Sequence, residues 1–418
     1  MPRGSQHRLD GIRRPPKDRT GPRLDALGRE RAAAPWPVRE SGMRWSPSEE
    51  QDELRRVVRR FLEERSPASE VRRLMETPEG YEPGVWKQLS QELGLPGVHV
   101  PESLGGQGLG FVELGIVLEE MGRALLCAPY FASVALAANA ILNAGSESEK
   151  AALLPGIAAG ETLATLAVAE PNGRWDAGGI QLEARRGAGG WTLHGEKSFV
   201  VDGATAELLV VAARLPGSSG RDGLGLFHLR GDSDGVARRA LVALDPTRKL
   251  ARLTFTGARA ESLGEVGAAA PALEKTLDQA AALLANEMVG GAQKLLDMTV
   301  EYAKTRVQFG RPIGSFQAIK HKCADMLMAL ELARSSAYYA AACADEANAE
   351  LPAVASLAKA QGSDAYLEIA AESIQIHGGL GFTWEQDVHL YFKRAKASEV
   401  FLGDPTYHRE LLAQRLEI

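Results

Sequence analysis

The hydrophobic period of this chain switches twice, and those switches constrain its architecture more than any other feature. From Ser46 to Ala158 apolar residues recur at helical spacing. From Thr162 short β-rich runs alternate with Gly, Asp and Ser turns, and from Ala270 the helical period returns and persists almost to Ile418. A repeat of about 3.6 lays one stripe of a helix on a core, and a repeat of about 2 does the same for a strand. The fold class is therefore α+β: an all-α N-terminal domain over 43–161, an antiparallel β barrel or sandwich over 162–270, and a C-terminal four-helix bundle over 271–418. Strands and helices do not alternate and no Gly-x-Gly-x-x-Gly run occurs, which disfavours a doubly wound dinucleotide fold.

Element by element, residues 46–66 open on Ser46 and Ser48 as cap candidates, and Leu54, Val57, Val58, Phe61 and Leu62 follow at helical spacing. Further helices are expected over 86–93, 112–123, 132–142 and 147–158. Strands are expected over 162–171, 180–186, 191–194, 198–201, 207–214, 224–230 and 250–257. The bundle helices read as 272–306, 316–346, 352–376 and 384–399. The charge run at 54–65 reads as a solvated helix face.

Residues 1–42 carry ten Lys/Arg, five Asp/Glu and six Pro among few apolar residues, a disordered composition. The Arg13-Arg14 pair has no apolar stretch behind it, so an export signal is not expected. The net charge of −6 gives no nucleic-acid footprint. No apolar run approaches the roughly 18 residues of a membrane span. Cys127, Cys323 and Cys343 are scattered without metal spacing, and His377, His389 and His408 read as structural. The cysteines fit a reducing compartment, so a cytoplasmic location is expected.

The most informative local stretch is YAKTRVQFGRPIGSFQAIKHKCADM, residues 302–326. A helix carrying Arg306 breaks at a Phe-Gly-Arg-Pro turn, and a second helix starts with Gln317 in its first turn. A helix start beside an Arg suits a pyrophosphate or adenine. A bare helix–turn–helix with a surface Arg is the plainer alternative.

Three further runs are collinear with this one: LGLPG…VPESLGGQGLG at 93–110, GEKSFVVDGA at 195–204, and QIHGGLGFTWEQDVHLYFKRA at 375–395. Together they make the chain resemble the acyl-CoA dehydrogenase family over about residues 46–415. That resemblance implies an extended FAD at a subunit interface, with its ring on the β domain of one subunit and its ADP half gripped by the bundle of the neighbour. It implies an acyl-CoA substrate, α-proton removal by a glutamate as a hydride leaves the β-carbon, an electron-transfer flavoprotein as acceptor, and a tetramer.

Carried over by position, the resemblance assigns the ADP half to Arg306, Gln308, Phe309, Gln317, Gln375, Gly378 and Gly379. Val168, Ala169, Phe199, Val201 and Thr406 fall at the remaining flavin positions, and Asp278 at a position that meets the pantetheine arm. On the ring side the pattern departs. Ala169 and Val201 stand where relatives carry Thr, which removes hydrogen bonds worth about 0.5–1.5 kcal/mol each. The two positions used for the base hold Leu402 and Ala280, and Ala281 stands where a neighbouring Arg is usual. Glu287, two helical turns beyond Ala280, and Asp404 are the substitutes within reach. Three readings follow. One is a dehydrogenase with a displaced base. Another is a partner subunit of a heterotetramer that supplies the ADP grip while a related chain supplies the glutamate. The last is a flavin-dependent oxidase or monooxygenase of the same fold.

Overall fold

The computed structural model describes residues 48–418, so the expectation of a disordered segment at 1–42 lies outside the described residues. Six helices come first: α1 (Glu49–Arg65), α2 (Ala68–Leu74), α3 (Pro83–Gln91), α4 (Phe111–Arg123), α5 (Asn139–Ala144) and α6 (Glu147–Ala158). Ser48 caps α1, accepting from Gln51 N while the Gln51 side chain accepts from the Ser48 N–H, and Glu49, Glu50 and Asp52 favour the positive helix start. Val58 and Leu62 are buried, whereas Val57, expected on the same face, is exposed. The charged run is not simply solvated. Arg55 reaches the buried Glu119 at 2.8 Å and Glu120 at 3.0 Å, and Arg59 reaches Glu120 at 2.7 Å. A π-helical segment, Phe131–Ala138, replaces the expected regular helix ahead of α5. The Ser133 hydroxyl pins that segment to the first strand, donating to Ala164 O and accepting from Ala164 N.

The middle region contains β1 (Ala164–Ala167), β2 (Glu183–Gly187), β3 (Gly190–Val201), β4 (Leu208–Arg214), β5 (Leu224–Arg230), β6 (Val236–Leu241) and β7 (Leu250–Gly267). Along the sheet β4 is followed by β2, β3, β7 and β5, and β5 pairs back on β4, so these strands close a barrel with β1 on β4 and β6 on β7. The sheet is mixed rather than purely antiparallel, because β1 and β2 both run parallel to β4. The expected strands 191–194 and 198–201 are one strand, bent by register shifts at Leu193/His194 and Lys197/Val200. Strand β6 is absent from the expectation because its residues are largely exposed and show no alternation.

Five helices follow: α7 (Ala270–Thr305), α8 (Gln317–Asp345), α9 (Leu351–His377), α10 (Val388–Val400) and α11 (Pro405–Arg415). Between α7 and α8 lies a two-stranded hairpin, β8 (Val307–Gln308) and β9 (Arg311–Pro312). Helix α7 has 36 residues, hence a length of roughly 54 Å at 1.5 Å per residue. It lies tightly against α4. A Cβ at Gly122 would come within 2.0 Å of Glu287 O, and one at Gly290 within 1.7 Å of Glu119 O. Glycine at both positions is what lets the backbones touch and carries Glu287 into the middle of the molecule.

There Glu287 meets the segment between β6 and β7. Both of its oxygens accept from Arg248 at 2.6 Å, and one also accepts from Arg394 of α10 at 2.8 Å. Arg394 donates to Asp245 at 2.5 Å and to the Thr247 hydroxyl at 2.5 Å. Lys249 donates to Met75 O at 2.6 Å, tying the same segment to the N-terminal helices. Asp202 is buried beside this lattice, and burial pushes its carboxyl up to about 7 against the opposing pull of Arg248, Arg394 and Lys249. A carboxyl whose folded pKa lies above its unfolded value of 3.8 contributes stability that is present below that value and lost as pH rises through about 7. Asp202→Asn is therefore expected to melt above the wild type at pH 8. The difference should close as pH falls toward 4, which thermal denaturation across that range will measure.

Candidate functional site

The residues at 302–317 and 375–379 converge on one end of the bundle. Helix α7 ends at Thr305 and α9 at His377, and the Tyr302 and His377 rings stack there at 4.2 Å and 20°. The Tyr302 hydroxyl also donates to His377 O at 3.4 Å. This clamp brings Arg306, at the end of α7, to Gln375, Gly378 and Gly379, at the end of α9. Arg306, Gln308, Gln317, Gln375, Gly378 and Gly379 are all exposed, and Phe309 is 91% exposed. Phe309 also holds a left-handed φ of 53°, which turns its ring outward. Nothing lies within 4 Å of a Cβ built on Gly378 or Gly379, so the backbone there is open to a ligand's approach. The amide of Gln308 folds back onto Val307 O at 3.0 Å. An outward guanidinium, open glycine backbone and the start of α8 form a surface that suits a dinucleotide phosphate, and Arg306 makes no ion pair among the described residues. Thr406 is exposed in the first turn of α11.

The ring-side residues gather elsewhere. Val168, Ala169, Phe199, Val201 and Leu402 line one cavity of about 10 Å³ together with Leu136, Trp175, Ser198, Leu277 and Phe401. The segment just past β1 that carries Ala169 is held by Lys197, which is wholly buried. Lys197 donates to Val168 O and to Glu170, each at 2.8 Å. Burial lowers its ammonium to about 8 despite Glu170. Phe199 is 43% exposed with φ 58°, placed to cover a planar ring. The Ser198 hydroxyl and the Trp175 indole N–H are the only polar side-chain groups in that lining.

No expected substitute for the base reaches this cavity. Ala280 is fully buried and Leu402 is 3% exposed. Glu287 lines a different cavity of about 20 Å³ with Arg248, Arg394, Asp202 and Thr247, where its oxygens are taken by the two guanidiniums. Both arginines come from distant segments, 39 and 107 residues away in the chain. Asp404 caps α11 instead, accepting from Tyr407 N at 2.7 Å. Asp278 is buried against Arg415 at 2.8 Å rather than open to a ligand, and burial raises it to about 6. His408 and Lys359 hold the turn around Leu402, through Leu402 O at 3.0 Å and Gly403 O at 2.8 Å respectively. Lys359, Arg415 and Trp175 carry no signal in the sequence, because each acts through a contact with a distant segment.

Another cavity, of about 300 Å³, lies among α1, α2, α4, α7 and α10. Several charges around it form ion pairs, among them Arg59–Glu120, Arg123–Asp297 and Arg72–Asp387. Among the described residues no group of three or more His, Cys, Asp or Glu is placed to hold a metal, and no helix is long and apolar enough to cross a membrane.

Helical N- and C-terminal regions flanking a barrel define an acyl-CoA dehydrogenase fold. Family models described as the N-terminal, middle and C-terminal domains of acyl-CoA dehydrogenase match residues 48–161, 165–257 and 270–417. The chain belongs to the acyl-CoA dehydrogenase family, an oxidoreductase family whose members carry flavin. It is 36% identical over 373 residues to the acyl-CoA dehydrogenase IpdE2 of Mycobacterium tuberculosis, covering 89% of this chain and 98% of that one. Among solved structures it is similar to butyryl-CoA dehydrogenase from Megasphaera elsdenii, with a TM-score of 0.84, 28% identity, and coverage of 90% and 100%. It is also similar to the ChsE4-ChsE5 complex from Mycobacterium tuberculosis, with a TM-score of 0.81, 27% identity, and coverage of 90% and 99%.

Removing one partner from a buried ion network leaves uncompensated charge, at a cost of about 3–5 kcal/mol. Glu287→Gln is expected to lower the unfolding free energy by that order, read from denaturant titration. In any assembly that still folds, it should leave the rate of anaerobic flavin reduction by acyl-CoA unchanged. Loss of that rate in a fully folded variant would restore Glu287 as a candidate base.

Proposed function

We propose that this chain is the base-lacking subunit of a heteromeric acyl-CoA dehydrogenase. It grips the ADP half of an FAD whose ring lies in a related chain, and that chain supplies the carboxylate. The observation that carries this reading is the make-up of the cavity around Ala169, Phe199, Val201 and Leu402, which holds no ionisable side chain. Removal of a proton α to a thioester requires a base within hydrogen-bond reach, and hydrophobic side chains supply none. The nucleotide side keeps its polar groups and turns them outward, as a site completed by a second chain requires. Similarity to a two-chain complex, ChsE4-ChsE5, supports the same assembly.

Bound FAD would supply a hydride acceptor for the acyl β-carbon. Arg306 would hold its pyrophosphate, Gln317 and Gln375 would bind the nucleotide edges, and Gly378 and Gly379 would admit it close to the backbone. An electron-transfer flavoprotein is the fitting acceptor, and the substrate is an acyl-CoA thioester.

The test is production of the full chain alone and together with a related, glutamate-bearing chain encoded nearby. The chain alone should purify with little flavin, and the pair should co-elute as one yellow species that acyl-CoA bleaches under anaerobic conditions. A stoichiometrically yellow homo-oligomer that acyl-CoA reduces would defeat the proposal. In the pair, Arg306→Ala removes a charge-assisted contact worth about 1.5–3 kcal/mol. It should raise the flavin dissociation constant roughly ten- to a hundredfold, measured by fluorescence of released flavin.

A further inference from the structure

The cavity that contains Leu402 is closed by the chain's own aromatic side chains. Phe401 meets Phe131 edge-on at 5.7 Å and 64°, and Trp175 edge-on at 5.3 Å and 85°. The Arg248 guanidinium lies over both phenyl rings, 5.1 Å from Phe131 and 5.7 Å from Phe401, and Glu287 holds it there. Phe401 is thus held from three directions. The remaining space of about 10 Å³ is at the lower limit for one water molecule, and far below what an acyl chain needs.

These rings are not equivalent. Phe131 and Phe401 belong to the core, whereas Trp175 is half-buried on the loop between β1 and β2. That loop is braced rather than slack. The Asn172 amide donates to Gly179 O at 2.6 Å, Arg174 pairs with Asp176 at 2.7 Å, and Asp176 accepts from Gly179 N at 3.1 Å.

We infer that Trp175 is a stopper that excludes acyl-CoA from this chain's own cleft, so that in the assembly the thioester binds only in the cleft of the related chain. The inference rests on reading this cavity as the ring-side cleft. It adds the residue that shuts it and the side chains that hold that residue's neighbours in place. An indole ring laid against Phe401 fills the space with dispersion contacts that an entering chain would have to replace before gaining its own.

Access to the cavity can be measured without flavin or substrate. A Leu402→Cys chain is treated with methyl methanethiosulfonate, against the background of Cys127, Cys323 and Cys343 in the parent. Labelling at 402 should be slow, should accelerate tenfold or more, roughly the effect of 1.4 kcal/mol, when Trp175→Ala is added, and should stay slow with Trp175→Phe. Melting curves establish that each variant is folded. Fast labelling with Trp175 in place, or no acceleration in a folded Trp175→Ala variant, overturns the assignment of Trp175.

The second arm is equilibrium dialysis of octanoyl-CoA against the co-purified, flavin-loaded pair. One thioester per two chains is expected for the wild type, rising toward one per chain with Trp175→Ala. One per chain in the wild type overturns the inference while leaving the two-chain assembly standing. Failure of the pair to form defeats the subunit reading alone, because the labelling result does not depend on it.

Discussion

A single buried arginine organises this molecule. Arg394 reaches Asp245, Thr247 and Glu287 at once, and Glu287 in turn fixes Arg248. These residues come from α10, from the segment leading into β7 and from α7, so the lattice joins the bundle to the barrel. Through the face of Arg248 it also meets the N-terminal Phe131. Replacing such a network with apolar side chains is often neutral for stability. Its importance here is therefore positional: it settles where Phe131 and Phe401 stand, and so the shape of the cavity between the three regions.

The turn at 401–404 has its own supports. Leu402 holds a left-handed φ of 62°, a conformation that costs an ordinary L-residue roughly 1–2 kcal/mol. Lys359 bridges Ser363 Oγ, Glu399 O and Gly403 O, and His408 binds Leu402 O. The backbone is shaped from outside, so the identity of the side chain at 402 has little say in it. A carboxylate or a leucine can sit on the same turn without altering the fold around it.

The architecture was legible because hydrophobic period is a local property that any sizeable core imposes. Edges and closures were less so. Parallel pairing of β1 with β4 depends on which strands meet in the folded chain, not on either strand's residues, and β6 lacks a buried face to announce it. The nucleotide side was legible for a different reason, since Arg306, Gln317 and the Gly378-Gly379 pair are consecutive in short runs. What happens to Glu287 and Asp278 was hidden. The partners of Glu287 lie 39 and 107 residues away, and only the folded chain decides whether a buried carboxylate is paired or lone. Trp175 shows the same limit, being an ordinary loop residue until Phe401 is placed against it.

The Tyr302–His377 clamp presents Arg306 and its neighbours to the outside of the molecule. A nucleotide held by such a surface and by a second chain obeys mass action twice over: bound flavin strengthens association, and association strengthens flavin binding, by the same factor. Dilution alone then empties the site, and added flavin restores the complex without any change in the protein. In the proposed two-chain assembly the cofactor would act as mortar between subunits as well as reagent, and its cellular concentration would control how much assembled enzyme exists.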